Sequence, residues 1–364
     1  MSALEDIIKQ QIRLNGPMNM AEYMGLCLGH PEHGYYMRRN PLGQEGDFTT
    51  APEISQMFGE LIGAWLADSW MQLGSPDKFI LLECGPGRGT LMADALRATK
   101  AVKGFHEAMQ LHMLEMSPTL KASQQAALEG YDATWHMTLE SVPTDSPLLV
   151  LGNEFLDALP VRQIVLRDTG WAEKVINIDI NDTLRLYEIE ADEGVKQLIP
   201  PMLIPPQLGD HLEVSLQQKC TIGEIINIVL KQGGISLFID YGFTHSVSGD
   251  TLQAVKNHSY CGVLDSPGEV DITAHVNFAE ISRFSMENNV TVHGPVSQGD
   301  FLNRLGMKVR AQNLTQGATA EQAKDIALAV TRLTGKDTKA GEMGELFKVI
   351  AMSSDPSLKL AGFS

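Results

Sequence analysis

A chain of 364 residues that is 43% hydrophobic, with 33 Gly and 17 Pro, is long enough to bury a substantial core as one elaborated domain or two ordinary ones. Its net charge of −17 is the opposite of what a phosphate backbone or an anionic membrane surface attracts, so neither nucleic acid nor membrane insertion is expected and a cationic partner suits it better. Cys27, Cys84, Cys220 and Cys261 lie far apart without C-x-x-C spacing, which signals neither a disulfide framework nor a zinc site and fits a reducing compartment.

The chain opens on "MSALEDIIKQQIRLNG", an amphipathic start with acidic residues rather than a signal core or an Arg/Ser-rich transit peptide. No apolar run approaches the roughly 18 residues of a membrane span, and a cytoplasmic chain is expected. In "GQEGDFTTAPEIS", Thr50 and Glu53 have the T-x-x-E spacing of a capping box, while the glycine-rich stretch before them also suits a flap over a bound cofactor. From Glu53 to Leu73 the apolar residues recur at helical spacing and predict one long helix. Residues 79–82 then read as a buried strand, the glycines that follow as a loop, and "TLMADALRATK" as a helix. Further buried parallel strands are expected at 111–115, 147–155 and 234–242, with helices between most of them, which makes a doubly wound α/β sheet. Between Val161 and Pro206 the pattern alternates, as in "KVINIDI" and "LRLYEIE", and predicts an antiparallel excursion closed by a proline-stiffened connector. "NVTVHGPVS" and "GELFKVIAMSS" read as the last two strands, with "TAEQAKDIALAVTRLT" a helix before the second. The expected divisions are an N-terminal helical and flap region (1–75), the first half of the sheet (76–160), an inserted antiparallel and helical subdomain (161–230) and the second half of the sheet (231–364).

The segment "LLECGPGRGT" carries the chemistry. Gly85, Gly87 and Gly89 form G-x-G-x-G, but Thr90 stands where a dinucleotide fingerprint has its last glycine or alanine, which disfavours an NAD-dependent oxidoreductase. Such glycines let a ligand approach the backbone and lead it to the helix N-terminus; a tight strand-to-helix turn with no ligand is the other reading. Glu115 ends the next strand, where a carboxylate can accept from both ribose hydroxyls of an adenosine. Glu83 completes the E-x-G-x-G-x-G form typical of enzymes that use S-adenosylmethionine, so the loop is expected to hold a methionyl tail rather than a phosphate.

"HPEHGYYMRRNPLGQEGDFTTAPEISQMFGELIGAWL", "LLECGPGRGTLMADALR", "GNEFLDALPVRQ", "GEVDITAHVNF" and "MGELFKVIAM", in that order, together resemble the MidA-like family, and the likeness runs from about Ile12 to the C-terminus. The resemblance implies a class I methyltransferase (Rossmann-like) fold with a seven-stranded sheet, and S-adenosyl-L-methionine as cofactor. The family's mitochondrial members are protein-arginine methyltransferases needed for complex I assembly; without a transit peptide this chain resembles a bacterial member. The expected partner is a protein substrate, with a respiratory complex I subunit homologue foremost, and a homodimer is compatible with the sequence.

In that fold, Asn153, Glu154 and Asp157 fall beside the donor methyl and form the expected catalytic set, because two carboxylates match a planar guanidinium through paired hydrogen bonds. The alternative is that Asn153 caps a helix whose positive end Glu154 and Asp157 complement. The expected cofactor set is Glu83, Gly85, Pro86, Gly87, Gly89, Glu115, Thr50 and His136, the last placed after a third strand where adenine packs. Arg38 and Arg39 read as solvated or paired, Asp240 and Tyr241 as bordering the pocket or merely ending a strand, and no metal is expected. The competing function is a non-catalytic assembly scaffold that retains the nucleotide as a structural ligand.

Overall fold

In the strand Phe79–Cys84 (β1) every residue is buried, and strand alternation divides them between two cores: Phe79 and Leu81 enter one, and Ile80, Leu82 and Cys84 the other. A strand covered on both faces reads as a continuous apolar run, which is why this one is visible in the sequence. The computed structural model describes residues 2–38, 50–200, 205–245, 248–256 and 258–363. The flap reading of "GQEGDFT" and the reading of Arg39 fall outside these residues.

Six more strands complete the main sheet: Met109–Leu114 (β2), Ala133–His136 (β3), Leu148–Asn153 (β4), Gly234–Phe243 (β5), Thr291–Ser297 (β6) and Phe347–Ser353 (β7). Their spatial order is β3-β2-β1-β4-β5-β7-β6, and β7 runs against both its neighbours while the pairs among β1 to β5 are parallel. All the strands expected in this sheet are present. The short pair Val276–Asn277 adds alongside the end of β5. Helices Gln56–Gln72 and Thr90–Thr99 cover one face, and Leu216–Gln232 and Phe278–Glu287 the other.

The single helix expected over 53–73 is two pieces, Ala51–Ile54 and Gln56–Gln72. Ser55 separates them in an extended conformation (φ −162°, ψ 137°), and its hydroxyl accepts from the Met57 N–H to start the second piece. Apolar spacing continues through the break, so periodicity alone does not register it. The expected capping box is also absent. Thr50 makes no side-chain cap, and Glu53 is engaged elsewhere. The longer piece lies close against Thr90–Thr99: a Cβ on Gly63 would stand 2.6 Å from the Ala95 carbonyl oxygen.

The antiparallel excursion comprises Arg162–Arg167, Gly170–Ile178, Leu184–Glu190 and His211–Val214, joined by Met18–Asn19 from the N-terminal region. The helix that follows, Leu216–Gln232, buries Ile222, Ile225, Ile226 and Val229 against the main sheet. A second small sheet, unanticipated from the sequence, is built from Gln253–Lys256, Ser259–Cys261 and Asp271–Thr273. Strands of three or four residues are too short for alternation to stand out. Ile176 and Leu184 of the excursion, Ala254 and Ile272 of the small sheet, and Leu4, Ile8 and Tyr23 of the N-terminal helices share one accessory core.

Candidate active site

The sheet's topological switch point lies between β1 and β4, where parallel α/β sheets bind ligands beyond the strand ends. A cavity of about 930 Å³ occupies this place, and its walls come from the main sheet, the N-terminal region and the small accessory sheet. Of the residues expected from the sequence, Thr50, Glu83, Gly85, Pro86, Gly87, Glu115, Asn153, Glu154 and Asp157 all line it. Gly89 and His136 do not.

The glycine loop has its particular shape because Gly85 (φ +62°), Gly87 (φ +53°) and Gly89 (φ +83°) all take left-handed conformations that side chains resist. A Cβ on Gly85 would also stand 2.9 Å from the Phe155 ring, so the loop passes hard against the segment after β4. Gly89 serves packing instead, since a Cβ there would meet Gln124 and Ala127 at 3.2 and 3.3 Å. Glu83 is 2% exposed, and burial, with the nearby Glu115 charge, pushes its carboxyl up to about 8.

Glu115 follows β2 with both carboxylate oxygens already partnered on one side: Oε1 accepts from the Ser117 N–H at 2.7 Å and Oε2 from Gln124 Nε2 at 2.9 Å. The same Gln124 amide donates to the Gly87 carbonyl at 2.8 Å, and its oxygen accepts from Trp135 Nε1 at 2.7 Å. Gln124 thereby joins the glycine loop, the acid and the third strand through one fully buried amide. Sequence reasoning missed it; the only signal is a glutamine in register with the apolar face of its helix. His136 is placed differently from expectation. Its ring nitrogens pair with His112 (2.8 Å) and Ser141 (2.9 Å), and the cavity wall at this end is Met137 to Glu140.

At the other end of the cavity Asn153 ends β4, and Glu154 turns the chain with φ +51°. No helix follows among residues 154–160, so the helix-cap alternative for these residues does not hold. The turn is held instead by Asp240 of β5, whose Oδ2 accepts the N–H groups of Phe155, Leu156 and Asp157 at 3.1, 2.9 and 3.2 Å. Glu154 Oε1 accepts from Asn153 Nδ2 at 3.1 Å and from the Ala51 N–H at 3.2 Å. Burial and the adjacent Asp157 charge push the Glu154 carboxyl up to about 8. Burial likewise raises Asp157 to about 6, against a hydrogen bond from the Tyr241 hydroxyl. Asp271, from the small sheet, accepts from the Tyr36 hydroxyl at 2.8 Å. Glu154, Asp157 and Asp271 line one end of the cavity, with Asp240 directly behind them.

Glu83 Oε2, Asn153 Oδ1 and Asp157 Oδ1 are buried in this region without a hydrogen-bond partner among the described residues. An unmet buried acceptor costs about 1–3 kcal/mol, so these atoms call for a ligand rich in donors and positive charge. A ligand with an ammonium, a sulfonium and ribose hydroxyls fits these unmet acceptors and the carboxylates Glu83, Glu115, Glu154 and Asp157 that line the cavity.

A sheet in the order 3-2-1-4-5-7-6, reversed only at β7 and carrying its glycine loop at the switch point, is that of a class I methyltransferase, whose cofactor is S-adenosylmethionine. Residues 61–296 match the model of a family described as S-adenosyl-L-methionine-dependent methyltransferase. The chain is 36% identical over 374 residues to the protein arginine methyltransferase NDUFAF7 homolog, mitochondrial, of Drosophila melanogaster, with 95% of this chain and 83% of that one covered. It is 31% identical over 366 residues to the human protein arginine methyltransferase NDUFAF7, mitochondrial, with 93% and 81% covered. It superposes with a TM-score of 0.86 and 26% identity on a Burkholderia thailandensis protein bound to S-adenosyl-homocysteine, covering 100% of this chain and 94% of that one. The chain belongs to this family, the MidA-like S-adenosylmethionine-dependent methyltransferases.

A buried acid raised above its unfolded value near ~4.3 holds a proton in the folded chain that the unfolded chain has released, so its contribution to stability declines as pH rises through that window. For Glu83 the window extends to about 8. Glu83→Gln is therefore expected to raise the melting temperature of the ligand-free protein by several degrees at about pH 8 and by much less at about pH 4. Calorimetric melting at both values checks this, and a pH-independent difference contradicts it.

Proposed function

We propose that the chain methylates an arginine of a protein, with a respiratory complex I (NADH:quinone oxidoreductase) subunit homologue as acceptor and complex assembly as the purpose. The observation that carries this reading is the group of carboxylates Glu154, Asp157 and Asp271 at one end of the cofactor cavity. An arginine guanidinium stays cationic because its pKa is above ~12, and its planar donors match carboxylates in pairs. The names of the relatives, protein arginine methyltransferases, support the same acceptor.

Glu83, the backbone of Gly85 to Gly87 and Glu115 would hold the cofactor, whose sulfonium supplies an electrophilic methyl. Glu154 and Asp157 then orient the guanidinium and draw its positive charge away from the attacking nitrogen. Asp157, set by Tyr241 and with Oδ1 unpartnered, takes the proton that this nitrogen loses. Asp240 keeps the turn that carries both groups in shape. Intact-mass comparison of respiratory subunits from cells with and without this protein tests the proposal. One subunit lighter by one or two methylene groups is expected; unchanged masses across the complex, with assembly still impaired, favour a scaffold.

A further inference from the structure

The turn Ala51–Ile54 is only four residues long, yet each of its ends is fastened to a different half of the cavity. At its start the Ala51 N–H donates to Glu154 Oε1 at 3.2 Å. Near its end Glu53 Oε1 accepts from the Thr90 hydroxyl at 2.6 Å, at the first residue of the helix behind the glycine loop, and Glu53 Oε2 lies 3.7 Å from Arg88. The helix that begins at Gln56 packs against Thr90–Thr99 through Gly59 and Gly63, so the backbone places the turn beside the loop before any side chain acts. Glu53 has no local capping duty to explain it.

From this geometry we propose that Glu53 is a positioning residue: by tying the Ala51–Ile54 turn to the glycine loop it keeps the Ala51 N–H on Glu154, and so sets the acceptor carboxylate relative to the cofactor loop. Its effect on turnover rests on Glu154 binding the acceptor; its effect on Glu154 itself does not. The groups that bear on Glu154 are Asn153 and Asp157 from its own loop, Asp240 of β5, Tyr241 bonded to Asp157, Asp271 of the small sheet with Tyr36 upon it, and Ala51. Asp157 and Asp271 oppose its ionisation, whereas the Ala51 N–H and the Asn153 amide favour it. Releasing the turn removes one of those two donors, and Glu154 must then lose its proton at higher pH.

The test uses the full chain labelled with carbon-13 at glutamate side-chain carboxyls, the Glu154 resonance being the one lost in Glu154→Gln. In Glu53→Ala the Glu154 midpoint is expected to rise by about half a pH unit or more, an energy of about 0.7 kcal/mol. Thr90→Val, which removes the same hydrogen bond from the opposite side, is expected to move it the same way and serves if Glu53→Ala does not fold. The acidic limb of kcat/KM for methyl transfer should move up in parallel, with a smaller change in S-adenosylhomocysteine affinity. A Glu154 midpoint unchanged in the folded variants overturns the proposal, whatever happens to the rate. A midpoint that moves while kcat/KM does not upholds the positioning role and removes Glu154 from acceptor binding.

Discussion

Glu154→Gln is expected to slow methyl transfer by more than about a hundredfold while cofactor affinity stays within about threefold of wild type. The amide keeps the size of the side chain and can still accept from Ala51 and Asn153 through its oxygen. It lacks the charge that orients and polarises a guanidinium, and losing about 3 kcal/mol of transition-state stabilisation already costs over a hundredfold. Asp157→Asn should be comparably severe. No helix follows for Asp157 to cap, and its Oδ1 is buried without a hydrogen-bond partner among the described residues in a side chain that lines the cavity. Asparagine cannot take the released proton. A lysine in place of the target arginine should be a poor acceptor, because an ammonium cannot meet two carboxylates through a planar fork. Radiolabelled methyl transfer to the purified acceptor, with the melting temperature of each variant, is the measurement. Wild-type transfer by Glu154→Gln, or loss only in step with unfolding, returns this carboxylate to a structural role.

Glu115→Ala is expected to weaken S-adenosylmethionine binding more than about tenfold, as read by calorimetry. Hydrogen bonds to a charged acceptor are worth about 1.5–3 kcal/mol each, and both carboxylate oxygens retain capacity beyond Ser117 and Gln124. The alanine also leaves Gln124 with one partner fewer, which would loosen its bond to the Gly87 carbonyl. Glu115→Gln removes the charge at nearly constant size, at the cost of one of the two bonds accepted from Ser117 and Gln124, since its amide nitrogen cannot accept. Unchanged affinity in both variants would take Glu115 out of the cofactor site.

What the sequence made legible follows from how strongly each feature depends on neighbours along the chain. β1, β4, β5 and β7 each carry a run of apolar residues because both faces are covered, and the glycines of the loop are local requirements of left-handed backbone. Glu115, Glu154 and Asp157 stand at strand ends, where position in the chain translates directly into position at the sheet edge. Features that depend on distant partners were hidden. Thr50 and Glu53 have the spacing of a capping box, but the Thr90 hydroxyl, 37 positions after Glu53, claims the carboxylate. His136, expected just after the third strand, is that strand's last residue, and His112 on the adjacent strand takes its ring. Asp271 lies in a three-residue strand whose place is decided by Gln253–Lys256 and the N-terminal helices, and no periodic pattern announces it.

The formal charge of −17 counts every carboxylate as ionised. Two of them, Glu83 and Glu154, are held by burial at about 8 and so keep their protons at neutral pH in the empty protein. If, as proposed, a cationic cofactor sits beside the first and a guanidinium beside the second, they reverse that preference and drive both protons into solvent. Loading the enzyme is then an ion exchange: each incoming positive charge displaces one already present. The protein's own charge becomes more negative by nearly what its ligands bring, so the field that the loaded protein presents to a large basic partner is close to that of the empty one.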